Sequence, residues 1–499
     1  MYLPCFLSIF ASGFKKKIAL KKILDCLPLS LKVPSWKLSA IPVALLFISF
    51  IVIIACEGPL AVTDLSPYIL LVTAFAGVVL AAFTGSLSRR GMAIGLRRSA
   101  SQILPAIPML ILIAALATTW MLSGVVPTLV DYGLRMLNPT WFLATTCLVC
   151  AMVSVLTGSS WSTIATIGVA FIGIGSALGY HPGWTAGAII SGAYFGDKVS
   201  PLSDTTVIAS STCGVDLFAH IKYMTITTLP AMLVALVIFS VKGLFTELPP
   251  LDRSVDMLAG LRQYFNITPW SLAIPLATLL LIAMRVSTLV TLFISALLGM
   301  AGTFIFQPHL GIGALEMLST VFGGFSPATG SDAVDSFMST GGIIGIIPVV
   351  FLVLSALMFG WVMIGTGMLA SLTDAFTRRI RRAPAAVGAT IATGLVLNSC
   401  TADQYLSIIV NGNMYRSLYR RIHLEQRLLS RTLEDSVSVT SPMIPWSSCG
   451  VTQATVLGVP TIEYLPYCIF NYLTPVVSMI VISLGFKVRY TVLNTVRAK

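Results

Sequence analysis

Long apolar runs alternate with short polar punctuation along the chain, and many of the runs have the length of a membrane crossing. A helix needs about 20 apolar residues to span a hydrocarbon core of ~30 Å. Continuous runs lie at 40–56, 67–84, 104–126, 224–241, 270–284, 287–306, 341–363 and 461–484. Four further apolar segments are broken. Residues 139–179 are interrupted at Thr157, Gly158, Ser159 and Ser160, and residues 183–217 by the polar stretch 197–206. Residues 384–411 are interrupted between Asn398 and Asp403, and residues 434–459 around Ser441, Pro442 and Pro445. Lipid tolerates a broken helix only where the freed backbone is buried in protein or lines a cavity. The four breaks are therefore where function is expected.

An internal repeat is visible. Trp120 opens WMLSGVVPTLVDYG and Trp361 opens WVMIGTGMLASLTDAF, an offset of 241. The same offset carries Thr157-Gly158-Ser159-Ser160 onto Asn398-Ser399-Cys400-Thr401, while Cys213-Gly214-Val215 matches Cys449-Gly450-Val451 at 236. Each half then holds one interrupted hairpin and one broken helix.

Charge supplies the topology. Arg89, Arg90, Arg97 and Arg98 sit between the second and third spans, whereas the equivalent loop of the second half carries Asp332 and Asp335. Arg378, Arg379, Arg381 and Arg382 follow the Trp361 span, and its counterpart has only Arg135. The basic loop changes place, so the positive-inside rule makes the repeats inverted. Basic residues on both flanks of 384–411, including Arg416 to Arg431, make that segment a re-entrant hairpin; 139–179 is its inverted partner. Ten spans, two hairpins and both termini inside place 26 Lys and Arg in the cytoplasm and four outside, leaving Lys198 in the membrane. The expected organisation is a basic tail at 1–38, a first repeat at 39–241, an external linker at 242–268, a second repeat at 269–484 and a cytoplasmic tail at 485–499. The fold class is all-α and polytopic.

Composition agrees. Of 499 residues 56% are hydrophobic and 10% charged, against about 25% charged in soluble domains, which excludes a soluble enzyme. The net charge of +12 reflects cytoplasmic loops, so no nucleic-acid partner is expected; the partner is the bilayer. Lys15, Lys16, Lys17, Lys21 and Lys22 follow an apolar start, the wrong order for a cleavable leader. The four histidines and nine cysteines show no metal-ligand spacing, and no HExxH or nucleophile–base pair is present. No cofactor is expected.

The chemistry lies at the breaks. Asp197, Lys198 and Asp204 each cost ~2.5–3.5 kcal/mol at mid-membrane depth. With the hydroxyls of Ser203, Thr205 and Thr206 and freed carbonyls, the acids form an oxygen set suited to a hard monovalent cation such as Na⁺. Lys198 is the charge partner of a neighbouring Asp or a titrating, substrate-competing group; the plainer alternative is a buried Asp197–Lys198 pair joining helices. The hairpin tips offer Thr157, Ser159 and Ser160, and Asn398, Ser399 and Thr401, as ligands or as tight turns. Asp403 is the second acidic candidate, or a helix cap. Ser441 marks the second broken helix. Glu434 and Asp435 read as helix N-terminal acids beside Arg431 or, alternatively, as site groups, Arg416 to Arg431 as an amphipathic surface helix, and Asp216, His220 and Lys222 as solvated.

GDKVSPLSDTT (196–206), GVDLFAHIKYM (214–224), TADQYLSIIVNG (401–412), SRTLEDSVSVTSPMIPWSSCGV (430–451), LGVPTIEYLP (457–466) and VLTGSSWSTIATIGVA (155–170) resemble signatures of the NhaC family of Na⁺/H⁺ antiporters, within the ion transporter superfamily. The resemblance spans roughly residues 40–484. It implies inverted repeats with two re-entrant hairpins, a scaffold that forms a homodimer and a moving transport domain in the cytoplasmic membrane. It also implies exchange of cytoplasmic Na⁺ for external H⁺, or, in some members, exchange of small organic acids such as malate and lactate. Val207 stands where the family usually has Asn, and Asn413 where it often has Arg.

Overall fold

The computed structural model describes residues 33–486 except 59–60, 105, 247–250, 285, 328–334, 336–337 and 378–379. The N-terminal lysine cluster, most of the C-terminal tail, and Asp332, Arg378 and Arg379 lie outside the described residues. Regular structure among the described residues is helical, beside one isolated bridge between Phe325 and Thr340. In lipid a helix satisfies its own backbone, which is why an apolar chain takes this form.

The first repeat runs α1 (Trp36–Cys56), α2 (Ala61–Phe83), α3 (Arg89–Ile103), α4 (Ala106–Leu122) and α5 (Val125–Met136). A helical hairpin follows, α6 (Phe142–Thr157) and α7 (Ser160–Ala177), then the broken helix α8 (Pro182–Val199) and α9 (Asp204–Cys213), and α10 (Leu217–Leu244). α11 (Leu251–Tyr264) links the halves. The second repeat runs α12 (Ala273–Ala283), α13 (Thr288–Phe306), α14 (Ala314–Gly323), α15 (Ile347–Gly365) and α16 (Met368–Thr377). Its hairpin is α17 (Ala383–Thr401) and α18 (Gln404–Arg421). Its broken helix is α19 (Gln426–Leu433), continuing into a π turn at Glu434–Ser438, and α20 (Ser448–Leu457). α21 (Thr461–Tyr467) and α22 (Ile469–Ser483) meet at a 52° bend. Among the described residues six unbroken apolar helices, two bent pairs and two broken helices account for ten crossings. The remaining apolar helices of membrane length are hairpin arms, and α14 is a shorter apolar helix.

Both hairpins close at their bases. The Tyr180 hydroxyl donates to the Pro139 carbonyl at 2.9 Å, so the first hairpin returns to its entry point. In the second, the Tyr415 hydroxyl donates to the Ala389 carbonyl at 3.0 Å and Tyr419 meets Thr390 at 3.2 Å. The second hairpin therefore extends to Arg421, beyond the expected 411. α8 lies along α6 because it presents small residues: a Cβ at Gly192 or Gly196 would collide with the carbonyls of Cys147 or Ala151. Such close backbone approach drives helix pairing where no hydrophobic effect separates helix from lipid. Across the halves the packing is reciprocal: α4 lies against α13, and α15 against α2.

The repeat is real, but its register differs from the sequence reading. The tips turn at left-handed Gly158 (φ 69°) and Ala402 (φ 54°). Ser159 and Asp403 cap the second arms, and Ser203 and Ser447 cap the second halves of the broken helices. Gly214 and Gly458 end those halves in left-handed conformation. Each pair is 244 residues apart, not 241. Thr157 thus corresponds to Thr401 rather than Asn398. The Cys-Gly-Val match is fortuitous: Cys213 ends α9, whereas Cys449 begins α20.

Three expectations fail around the second broken helix. It begins at Gln426, not Glu434. Arg416 to Arg431 is not one surface helix; α18 ends at Arg421, the chain turns through left-handed His423 (φ 59°), and Arg431 is 1% exposed. Glu434 and Asp435 are wholly buried inside the helix, not at its N-terminus. In addition, His220 is buried, with Nδ1 2.8 Å from the Ser430 hydroxyl. Asp216 and Lys222 are exposed as expected, Asp216 capping α10.

Candidate ion site

The two hairpin tips and the break between α8 and α9 meet around one cavity of about 580 Å³. Thr157, Ser159, Asp197, Asp204, Thr205 and Asp403 line it, with Ser448 from the start of α20. The opposite wall is Ala106 and Met109 of α4 and, at the α12–α13 turn, Ile282, Val286, Ser287, Thr288 and Thr291. Three carboxylates, and no base among the described lining residues, face this space.

Each acid is presented by a helix end. Asp197 is in the last turn of α8, 8% exposed, and its Oδ2 accepts the Ser160 hydroxyl at 2.7 Å. Ser203 lies within hydrogen-bond reach of Asp197 and of Thr205, the latter at 3.0 Å. Asp204 opens α9 directly after the Ser203 cap and is exposed to the cavity. Asp403 is 2% exposed; its Oδ1 accepts the Leu406 amide at 2.7 Å, so it caps α18 while also lining the cavity. Amides at helix N-termini favour negative charge at Asp204 and Asp403, and a cation in the cavity would meet Asp403 held by its cap and Asp197 held by Ser160.

The tips share a hydrogen-bond pattern. Thr157 Oγ1 lies 3.2 Å from Thr163 Oγ1, and Thr401 Oγ1 lies 2.9 Å from Ser407 Oγ. The Thr206 hydroxyl donates to the Lys198 carbonyl at 3.2 Å, holding α9 onto the end of α8. Other candidates point elsewhere. Asn398 donates to the Val437 carbonyl at 2.7 Å, and the Ser399 hydroxyl returns to the Leu395 carbonyl at 3.0 Å. Trp446 donates to the Ser399 carbonyl at 2.8 Å. These contacts stitch the second hairpin to the second broken helix. The Ser441 hydroxyl faces Cys449, and its carbonyl accepts from Ser447 at 2.6 Å. None of Asn398, Ser399 or Ser441 lines the cavity.

Lys198 pairs with neither Asp197 nor Asp204. Its ammonium contacts Asp435 Oδ1, which also accepts the Thr227 hydroxyl at 3.0 Å. Arg431 Nε lies 3.5 Å from Asp435 Oδ2, and its guanidinium sits over the Tyr223 ring at 4.9 Å. Glu434 is buried beside them, its electrostatic neighbours including Lys198, Asp197 and Asp435. Sequence reasoning missed this cluster because a basic residue next to a break reads as loop. The available signal was Arg431 and Asp435 four apart, a helical spacing that runs the helix back through the break.

Two hairpins whose tips face each other across the breaks of two helices, in a repeated architecture, define a membrane carrier with its site at the repeat interface. The sequence pattern of the Na⁺/H⁺ antiporter family matches residues 15–229 and 192–486. The chain belongs to that family. It is 36% identical over 379 residues to the Na⁺/H⁺ antiporter NhaC of Alkalihalophilus pseudofirmus, covering 76% of this chain and 82% of that protein. It is 35% identical over 398 residues to the malate-2H⁺/Na⁺-lactate antiporter of Bacillus subtilis, 79% and 84% of the two chains. It is also 35% identical over 417 residues to the arginine/ornithine antiporter ArcD of Halobacterium salinarum, 81% and 85%.

Proposed function

We propose that this chain exchanges Na⁺ for H⁺ across the cytoplasmic membrane by alternating access, as a carrier and not an enzyme. The observation that carries the reading is the convergence of Asp197, Asp204 and Asp403 on one cavity with the hydroxyls of Thr157, Ser159 and Thr205. A carboxylate cluster of this kind holds Na⁺ or protons in turn, which is the minimum an exchanger requires. The NhaC relative and family membership support the same assignment. The three carboxylates of the lining support a cation over the organic-acid alternative, since they repel an anion.

The charge pattern of the loops supports both termini inside. It also puts the α12–α13 turn inside, and the cavity reaches that turn. We read the conformation as open to the cytoplasm, with the opposite wall to open in the other half of the cycle. A homodimer remains part of the proposal from resemblance.

The test is transport in proteoliposomes loaded with a pH-sensitive dye, adding Na⁺, Li⁺, K⁺, malate, lactate, arginine or ornithine in turn. Proton movement driven by Na⁺ alone is expected. Movement that requires an organic solute replaces Na⁺/H⁺ exchange with carriage of that solute.

A further inference from the structure

Lys198 and Asp435 join the two broken helices behind the cavity; neither lines it. We propose that this buried pair is the positioning clamp of the cavity carboxylate Asp197, so that cation affinity is set by both repeats together. The inference rests on Asp197 belonging to the cation site.

Asp197 and Lys198 are consecutive in the last turn of α8. Consecutive helical residues point about 100° apart, so one faces the cavity while the next faces the second repeat. On the cavity side Asp197 is held by Ser160 of the first hairpin, at 2.7 Å. On the other side the Lys198 ammonium meets Asp435, and both residues are essentially without exposure. Asp435 is itself fixed from two more directions, by Thr227 of α10 at 3.0 Å and by Arg431 at 3.5 Å on its second oxygen. Glu434 and His220, the latter bonded to Ser430, are the other ionisable groups close by. The final turn of α8 thus hangs between a hairpin tip and a charge anchored on α10 and the π turn. Past it the backbone becomes extended at Ser200, where Ser203 and Thr206 hold the turn from within the first repeat, and the Lys198–Asp435 pair adds a charged hold from the second. Groups that orient a ligating carboxylate from behind typically change affinity by about 10–100-fold when removed.

Asp435→Asn, Lys198→Arg, Asp197→Asn and the neutral pair Lys198→Gln/Asp435→Asn separate the possibilities. Half-saturating Na⁺ and maximal rate are measured in proteoliposomes, with radiolabelled sodium binding to the purified protein for variants too slow to assay. Asp435→Asn should raise half-saturating Na⁺ about tenfold or more with a smaller fall in maximal rate. Lys198→Arg, which keeps the charge, should stay much closer to wild type. The neutral pair removes both charges of the clamp at once and leaves Arg431 beside Glu434, so folded yield is measured with it; its Na⁺ affinity should stay weak in the folded protein. Wild-type Na⁺ affinity in the neutral pair overturns the clamp, as does a uniform loss of rate and folded protein with affinity unchanged. Wild-type exchange in Asp197→Asn overturns the underlying cation site instead, so the two failures are distinguishable.

Discussion

Ser159 and Asp403 hold the same place in the two repeats, 244 residues apart. Each follows a left-handed residue at a hairpin tip and caps the hairpin's second arm, and each lines the cavity. Only one carries charge. The scaffold is therefore near-symmetric while its electrostatics are not, and the acid of the second tip is balanced on the other side by Asp197 and Asp204 at the break of the first broken helix.

That double duty makes Asp403 separable by substitution. Asn caps a helix about as well as Asp, so Asp403→Asn should keep stability within about 1 kcal/mol. It should still weaken Na⁺ by about tenfold or more, since one oxygen ligand loses its charge. Thermal unfolding in detergent and Na⁺ titration of exchange measure the two effects. Unchanged Na⁺ response would reduce Asp403 to a cap.

Asp204 opens α9 and faces the cavity. Its neighbour Ser203 provides the cap, so the carboxylate is free of that structural task. Asp204→Asn should abolish Na⁺-driven proton movement while leaving a folded, monodisperse protein. Exchange at the wild-type rate in this variant removes Asp204 from the mechanism.

Competition between protons and Na⁺ should appear as a pH dependence of affinity. Protonating a carboxylate removes a cation ligand, so half-saturating Na⁺ must rise as pH falls. The expected slope is about tenfold per pH unit below the site's own pKa for each competing proton. The measurement is half-saturating Na⁺ across roughly pH 6–9, spanning the range where a perturbed carboxylate titrates, with the potential clamped by valinomycin and K⁺. A flat profile excludes a shared site.

Topology is tested on two exposed residues. Glu316 in α14 should be outside and Lys222 in α10 inside under the charge rule. In a background lacking the exposed Cys56, an impermeant thiol reagent added externally should label Glu316→Cys and spare Lys222→Cys. Labelling reversed between the two would invert the chain.

The sequence by itself determined the class of molecule, most of its membrane-length helices and the places where helices break. The reason is the solvent: lipid demands long apolar helices and penalises every polar interruption, so Gly158, Pro201, Asp403 and Pro442 stand out against their surroundings. It also brought out Asp197, Asp204 and Asp403, because a charge inside an apolar run is costly and marks a site by default. The tertiary structure decided what those residues do with one another. The register of the repeat drifts from 241 at Trp120 and Trp361 to 244 at the tips, since three extra residues lie between these landmarks in the second half. No local signal marks such a drift where the residues differ. Arg431 was misplaced because the positive-inside rule counts every base near a helix end as cytoplasmic, and only packing shows that a guanidinium has been drawn in over Tyr223 toward Asp435. Lys198 likewise had two acids close in sequence, yet its ammonium reaches Asp435, 237 residues away. A buried charge goes to the partner that three-dimensional packing brings within reach, and proximity along the chain does not reveal that partner.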